Sequence, residues 1–140
     1  MVEGELVIEI DYTDTYAYLE EKSTEDFLKD KSIQSSLALK RLIKPILQFN
    51  KNVEPPVWFY VSPRRDHLIV PRTYCSCKDF IINVMSRKKK QVCRHLIIQY
   101  IGNIKKMYRT IIIPDLDTFL KIINEILDIN ISPTLRKLLY

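Results

Sequence analysis

All three cysteines of the chain, and one of its two histidines, fall into two short pairs that can hold a metal ion. One residue separates Cys75 from Cys77. The second pair, Cys93 and His95, has the same spacing and follows after fifteen residues. Zinc takes four sulfur or nitrogen ligands in a tetrahedron, and a closed set of four leaves no position for a reacting water. The pattern predicts one structural Zn²⁺ ion, held by Cys75, Cys77, Cys93 and His95.

Two other interpretations of the cysteines fit the spacing less well. Isolated buried cysteines behave as small hydrophobic residues, but two tight pairs are not expected from that role. A redox disulfide between Cys75 and Cys77 is disfavoured because exchange motifs normally have two intervening residues. His67 falls outside the pattern, and we expect it at the surface or at a strand end.

The elements around the two pairs predict how the ligands are positioned. Residues i and i+2 of an extended segment point to the same side, so Cys75 and Cys77 can present their thiolates together. β-Branched and aromatic residues predict strands at 57–61 and 67–70, before the first pair. An apolar periodicity predicts a helix from Leu96 onward, with the second pair at its start. Residues 68–108 should form a zinc module of strand, turn, strand, loop and helix that loosens without metal.

The flanking segments complete an α+β prediction. Alternation at residues 5–10 indicates a strand. Ser23 or Thr24 begins a predicted helix, and Pro45 should kink its apolar stripe near Lys44; the stripe consists of Leu39, Leu42, Ile43, Ile46 and Leu47. The predicted fold is one domain, residues 1–140, with a small antiparallel sheet and a strand-strand-helix zinc module packed against N- and C-terminal helices.

The helix predicted after Pro114 is apolar over a wide arc. Asp115 and Asp117 suit its first turn, and Ser132 with Pro133 predicts a last short helix. The wide arc fits either burial in the chain's own core or a face offered to a second copy or another protein. The candidate contact residues for such a homo- or hetero-oligomer are Leu116, Phe119, Ile122, Ile123 and Ile126.

Positive charge is concentrated in the middle of the chain. The net charge of +5 is the sum of −4 over residues 1–60, +10 over residues 61–112 and −1 over residues 113–140. Such a block indicates a surface that meets phosphates or an acidic protein patch. The candidate nucleic-acid contacts are Arg64, Arg65, Arg87, Lys88, Lys89, Lys90, Lys105 and Lys106. Trp58, Tyr60 and Tyr74 can stack on unpaired bases, single-stranded or branched DNA included, or belong to the core.

Several classes of protein are disfavoured. Two glycines in the whole chain do not suffice for a Gly-rich phosphate loop. No run of about 18 to 20 apolar residues predicts a membrane span, and the acidic start lacks a secretory pattern. We therefore expect an intracellular protein, cytoplasmic, nucleoid or nuclear, with no membrane association. His67 is the only histidine left for acid–base chemistry and no enzyme signature is present, so catalysis is not expected.

The segments Cys75-Ser76-Cys77 and Cys93-Arg94-His95, with Phe80 at the hydrophobic position after the first pair, resemble the SWIM zinc finger, whose pattern is CxC…CxH. The resemblance covers about residues 68–101, and the four ligands carry most of its specificity. Among SWIM proteins the short chain is most similar to the Shu-complex type, which pairs with RecA-family recombinase paralogues. The resemblance implies a non-catalytic accessory role in DNA recombination or repair; direct nucleic-acid binding through the basic residues is the alternative.

Overall fold

The computed structural model describes residues 12–21 and 24–140, and the strand predicted at residues 5–10 lies outside them. The chain forms a five-stranded sheet between two layers of helices. In chain order the elements are α1 (Tyr12–Glu21), α2 (Thr24–Leu28), α3 (Lys31–Ala38), β1 (Leu42–Leu47), β2 (Trp58–Val61), β3 (Asp66–Val70), β4 (Tyr74–Cys75), a π-helical segment (Phe80–Ser86), α4 (Arg94–Lys105), β5 (Arg109–Ile113), α5 (Leu116–Ile129) and α6 (Pro133–Leu139).

The sheet is mixed, with the strand order β4-β3-β2-β1-β5. Strands β1 to β4 pair antiparallel with their neighbours, whereas β1 and β5 run parallel, with Ile43 opposite Arg109 and Leu47 opposite Ile113. A parallel pair needs a long crossover connection, and here β2, β3, β4 and α4 all lie between the two strands in sequence. The predicted α+β class is confirmed, but the prediction of an antiparallel sheet was wrong for its β1–β5 edge.

Each face of the sheet carries its own hydrophobic core. Along β2, Trp58 and Tyr60 point to one face while Phe59 and Val61 point to the other, as the two-residue period of a strand requires. The first core contains all three cysteines and lies under α1 to α4, and the second lies under α5 and α6. The candidate metal ligands are therefore part of one of two separate apolar layers.

The prediction that the stripe from Leu39 to Leu47 is helical was wrong. The helix α3 ends at Ala38, and the strand β1 begins at Leu42. Leu42 packs into the first core and Ile43 into the second, so β1 is buried on both faces at its start. A strand buried on both faces gives a continuous apolar run that periodicity does not separate from a buried helix. Pro45 kinks no helix: it follows the two residues that pair with β2, so its missing N–H removes no bond between β1 and β2.

The helix start predicted at Ser23 or Thr24 is confirmed at Thr24, but α2 has only five residues. The chain begins a new helix at Lys31, where the Asp30 carboxylate accepts a hydrogen bond from the backbone N–H of Ser32 at 2.8 Å. This N-cap satisfies one of the amide donors that a helix start leaves free.

The last two helices begin at the predicted caps. Asp115 accepts from the N–H of Thr118 at 2.7 Å, and the Ser132 hydroxyl accepts from the N–H of Leu135 at 3.0 Å. Three residues of the proposed oligomer face, Phe119, Ile122 and Ile126, are buried in the second core, so that part of the prediction was wrong. Ile123 is half-buried against the same core, and Leu116 is 50% exposed. Within the described residues, no helix is both long and apolar enough to cross a membrane.

Candidate metal centre

The first cysteine pair is held by the edge of the sheet. Ile69 in β3 pairs with Cys75 in β4, and the backbone N–H of Ser76 donates to the carbonyl of Leu68 at 3.0 Å. The Ser76 hydroxyl returns a contact by accepting from the N–H of Leu68 at 2.8 Å. These bonds keep the backbone from β4 to Ser76 extended beside β3. As predicted, Cys75 and Cys77 face the same core with one residue between them.

The second pair lies at the start of α4. Cys93 is the N-cap residue, with extended backbone angles (φ −98°, ψ 166°), and the helix begins at Arg94, two residues before the predicted start. His95 is therefore in the first turn. Arg94 reaches to α3, where its guanidinium donates to the hydroxyls of Ser32 at 2.9 Å and Ser36 at 2.8 Å. This anchor fixes the end of α4 that carries both ligands.

The four side chains converge on one point inside the first core. The sulfur atoms of the three cysteines and a ring nitrogen of His95 all lie within 4.8 Å of one another. Cys75 and Cys93 are fully buried and Cys77 is 4% exposed, and all three thiols are free. Tetrahedral metal–sulfur bonds of about 2.3 Å place sulfur atoms about 3.8 Å apart, so the cluster needs at most a small contraction around an ion. The four residues can bind a metal ion.

Protonation of the thiols shows why this donor set suits a cation. Hydrogen bonds with Cys75 and Cys93 hold the pKa of Cys77 far below its usual range, and the N–H of Phe80 also donates to its sulfur at 3.3 Å. Burial raises the pKa of Cys75 well above its usual value. Contact with Cys75 acts to lower the pKa of Cys93, but Cys77 and burial outweigh it and raise that pKa to about 12.

A divalent cation would favour the thiolate form of all three cysteines, because its charge replaces the solvation that burial removes. Three sulfur donors and one imidazole are the ligands that a soft or borderline cation such as zinc prefers. The residues present therefore fit a metal of that class.

His67 is not the surface or strand-end residue that the sequence indicated. It lies within β3 opposite Tyr60, is only 8% exposed, and its ring centroid is 4.5 Å from that of His95. Burial, followed by the nearby His95, lowers its pKa to about 4. The strand alternation could have found it, because His67 and Ile69 share the face on which Cys75 lies.

The aromatic residues near the site are core residues rather than stacking platforms. Trp58 is 5% exposed and Tyr60 is 1% exposed, which excludes both from base stacking. The Tyr60 ring lies 4.6 Å from the His95 ring, and its hydroxyl donates to Ser36 at 3.1 Å. Tyr74 is half-buried and packs edge-on against the fully buried Phe80, at 5.6 Å between ring centroids. Of these rings, that of Tyr60 contacts the candidate ligand His95 directly.

The eight predicted nucleic-acid contacts lie on three exposed segments rather than on one element. Two are in the turn between β2 and β3, four lie between the π-helical segment and α4, and two are at the C-terminal end of α4. Lys90 forms an ion pair with Asp79 at 2.6 Å. Among the described residues no ion pair neutralises the other seven, which are Arg64, Arg65, Arg87, Lys88, Lys89, Lys105 and Lys106.

Comparisons with known proteins leave the interpretation to the geometry. The chain matches no protein-family model, and searches of curated proteins and of solved structures found no match either. The likeness to the SWIM pattern rests on the spacing of the four ligands and on Phe80, whose backbone N–H donates to Sγ of Cys77.

Proposed function

We propose that this chain is a non-catalytic, structural-zinc protein of the SWIM type that acts as an accessory factor in DNA recombination or repair through a RecA-like partner. The observation that supports the zinc site is the convergence of three buried thiols and one imidazole within 4.8 Å. Such a closed set of four ligands leaves zinc no open position for substrate or water. The ion would join the β3–β4 edge of the sheet to the start of α4.

The partner role is supported by the resemblance and by apolar side chains that the chain leaves uncovered. Leu116, Leu120 and Leu127 on α5 are each about half exposed, at 50%, 45% and 51%. Their spacing of four and seven residues places them along one side of the helix. This side of α5 is separate from the buried side formed by Phe119 and Ile122. We propose it as the surface for the RecA-like partner in place of the buried residues.

Metal content tests the zinc site. We expect about one zinc per chain after purification under reducing conditions, and almost none in Cys75→Ser or Cys93→Ser, because each substitution removes one of four ligands from a buried site. Lys78→Ala is the matched control, since Lys78 is exposed directly after Cys77 and should retain the metal. Elemental analysis at matched protein concentration gives the readout.

Freshly reduced wild-type chain without stoichiometric zinc would refute the proposed site. The recombination role has its own readout: a RecA-family paralogue should co-purify with the wild type and with Lys78→Ala, but not with Leu120→Glu/Leu127→Glu. A zinc-loaded chain that captures no such paralogue would keep the metal site and refute the role.

A second candidate function, direct nucleic-acid binding, is supported by the seven basic residues that lack an ion pair among the described residues. Unpaired arginine and lysine side chains bind phosphates and release condensed counterions on doing so. The buried Trp58 and Tyr60 offer no stacking, so affinity would come from charge rather than from base recognition. Binding of this kind weakens steeply with salt.

The segment between the π-helical segment and α4 provides the test. We expect Arg87→Gln/Lys88→Asn/Lys89→Gln to weaken binding of a labelled single-stranded oligonucleotide and to reduce the slope of log K against log salt by about 2, because about 0.7 counterion is released per phosphate contact. Lys88 has a backbone φ of 51°, in the left-handed region. Asparagine replaces it because asparagine adopts this region more readily than most residues. Lys90 is left intact because it pairs with Asp79.

The control variant Lys51→Gln/Lys121→Gln/Lys137→Gln removes the same charge from exposed lysines outside the basic block. Equal loss of affinity in both triple variants would reduce the effect to net charge. Binding that does not weaken with rising salt would refute the phosphate model.

A further inference from the structure

Two buried imidazole nitrogens lie close together without hydrogen-bond partners. Among the described residues, Nδ1 of His67 and Nδ1 of His95 are the buried side-chain polar atoms that lack a partner. Their rings are in contact, with centroids 4.5 Å apart and planes inclined by 45°. A buried polar atom without a hydrogen-bond partner is destabilising, because it has lost its contacts with water and gained none. Two such atoms in adjacent rings at one site therefore need a common explanation.

The register of the sheet places His67 beside the metal cluster but outside it. Ile69 of β3 pairs with Cys75, and His67 lies two residues earlier in β3, on the same face of the sheet. The four donor atoms that converge within 4.8 Å do not include a nitrogen of His67. His67 thus lies on the strand face that holds Cys75 and contacts the ligand His95 through its ring. It is a neighbour of the ligands rather than a fifth ligand.

A histidine that binds a metal through one nitrogen presents the other as an N–H donor, and that donor almost always has an acceptor that orients the ring. If His95 offers Nε2 to the ion, its Nδ1–H needs such an acceptor. A neutral His67 with its proton on Nε2 has an acceptor lone pair on Nδ1. A single bond between the two Nδ1 atoms would therefore satisfy both. Binding of the metal through Nδ1 of His95 would instead leave the His67 atom unpaired.

We propose that His67 is a positioning residue of the metal centre, which accepts a hydrogen bond from Nδ1–H of His95 and so directs Nε2 of His95 to the ion. This inference rests on the proposed zinc site. The contact between the two rings, with centroids 4.5 Å apart, is what would allow this bond. Tyr60 packs against His95 from a second direction, with 4.6 Å between the ring centroids. The ligand ring thus contacts both the proposed acceptor residue and an aromatic ring.

Zinc affinity of two His67 variants gives the first test. Competition with a chelator should show zinc binding weakened by 10- to 100-fold in His67→Phe, which keeps the ring shape and removes the acceptor. His67→Gln should stay within a few fold of the wild type, because its amide oxygen can accept the bond. Thermal unfolding of the zinc-loaded variants serves as a check that both fold. If His67 acted only through packing, His67→Gln would not bind zinc more tightly than His67→Phe.

The second test uses the wild-type zinc-loaded chain and needs no substitution. Long-range ¹H–¹⁵N spectra of the histidine rings should show His95 bound through Nε2 with a protonated Nδ1, and His67 with its proton on Nε2. Metal on Nδ1 of His95, or equal zinc affinity in His67→Phe and the wild type, would overturn the inference and leave the zinc site intact. A wild-type chain that binds no zinc would refute the zinc site itself.

Discussion

Asp66, at the first position of β3, is a carboxylate with no exposure to solvent. The guanidinium of Arg136 in α6 donates two hydrogen bonds to this carboxylate. Nη2 lies 2.7 Å from Oδ1, and Nε lies 3.2 Å from Oδ2. The backbone N–H of Ser132 adds a third donor to Oδ2 at 2.8 Å. A buried charge is tolerated only when it is paired and hydrogen-bonded in this way. The contact fixes α6 to the strand that carries His67.

Removing the arginine should therefore be severe. We expect Arg136→Met to lower the free energy of unfolding by about 3 to 5 kcal/mol, because it leaves the Asp66 charge buried without its partner. Urea unfolding provides the measurement. The control is Lys137→Met, an exposed neighbour that should cost less than about 0.5 kcal/mol.

The double variant Asp66→Asn/Arg136→Met separates charge from packing. It should be more stable than Arg136→Met alone, since no unpaired charge then remains. If Arg136→Met unfolds no more easily than Lys137→Met, the ion pair contributes nothing to the fold.

At the scale of elements, the position of α4 depends on one glycine. A Cβ added at Gly102 would lie 2.6 Å from Cδ2 of Leu42 and 3.3 Å from Cδ2 of Leu37. Leu42 and Leu37 are each 1% exposed, so both would have to move within the core. The helix therefore approaches α3 and β1 so closely that a side chain at this position would displace Leu42. Because α4 carries His95 in its first turn, this approach also sets the height of a ligand above the sheet.

Gly102→Ala should destabilise the chain despite a better helix propensity. Alanine gains about 1 kcal/mol over glycine within a helix, while overpacking a core costs about 1 to 3 kcal/mol. With one contact of 2.6 Å to the buried Leu42, we expect a net loss of about 1 to 2 kcal/mol in the free energy of unfolding by urea. Asn103→Ala, on the exposed side of the same helix, should be neutral or slightly stabilising. Stability equal to or above the wild type in Gly102→Ala would show that Leu42 can yield.

The elements that could be predicted are those that begin at a local signal in the sequence, such as a helix cap. Asp115 and Ser132 are caps whose effect is local, and α5 and α6 begin where they indicate. Leu42 and Ile43 are adjacent residues in opposite cores, a tertiary arrangement that erases the period on which a strand prediction depends. The strand β5 likewise depends on tertiary pairing: it runs beside β1, and Ile111 and Ile113 are buried in the second core.

The same difference between local signals and tertiary arrangement explains which parts of the metal site could be predicted. The convergence of the four ligands follows from two short spacings and needed no knowledge of the fold. The neighbourhood of His67 depends on the register of β3 against β4 and on the crossing of α4, neither of which the spacing contains. The basic block was visible as composition, but the ion pair between Lys90 and Asp79 was not, because it joins residues eleven positions apart.

The two cores give the molecule two layers with different requirements. The layer under α5 and α6 is built from aliphatic side chains and Phe59 and Phe119, and the buried Asp66 on this side of β3 is neutralised by Arg136. The layer under α1 to α4 places three thiols at its centre. Loss of a metal would thus act first on the cysteine layer, and through the shared strands on the other.

The parallel pairing of β1 with β5 has a consequence for what the cysteine-bearing segment is. Everything from β2 to α4 is inserted in sequence between two strands that lie side by side. The core that encloses the cysteines also uses Leu42 from β1 and Leu19, Phe27 and Leu37 from the N-terminal helices. The segment from β2 to α4 therefore does not form its apolar core alone. The segment is not an independent zinc finger that could be moved into another protein, because the residues that pack around it are distributed over the rest of the chain.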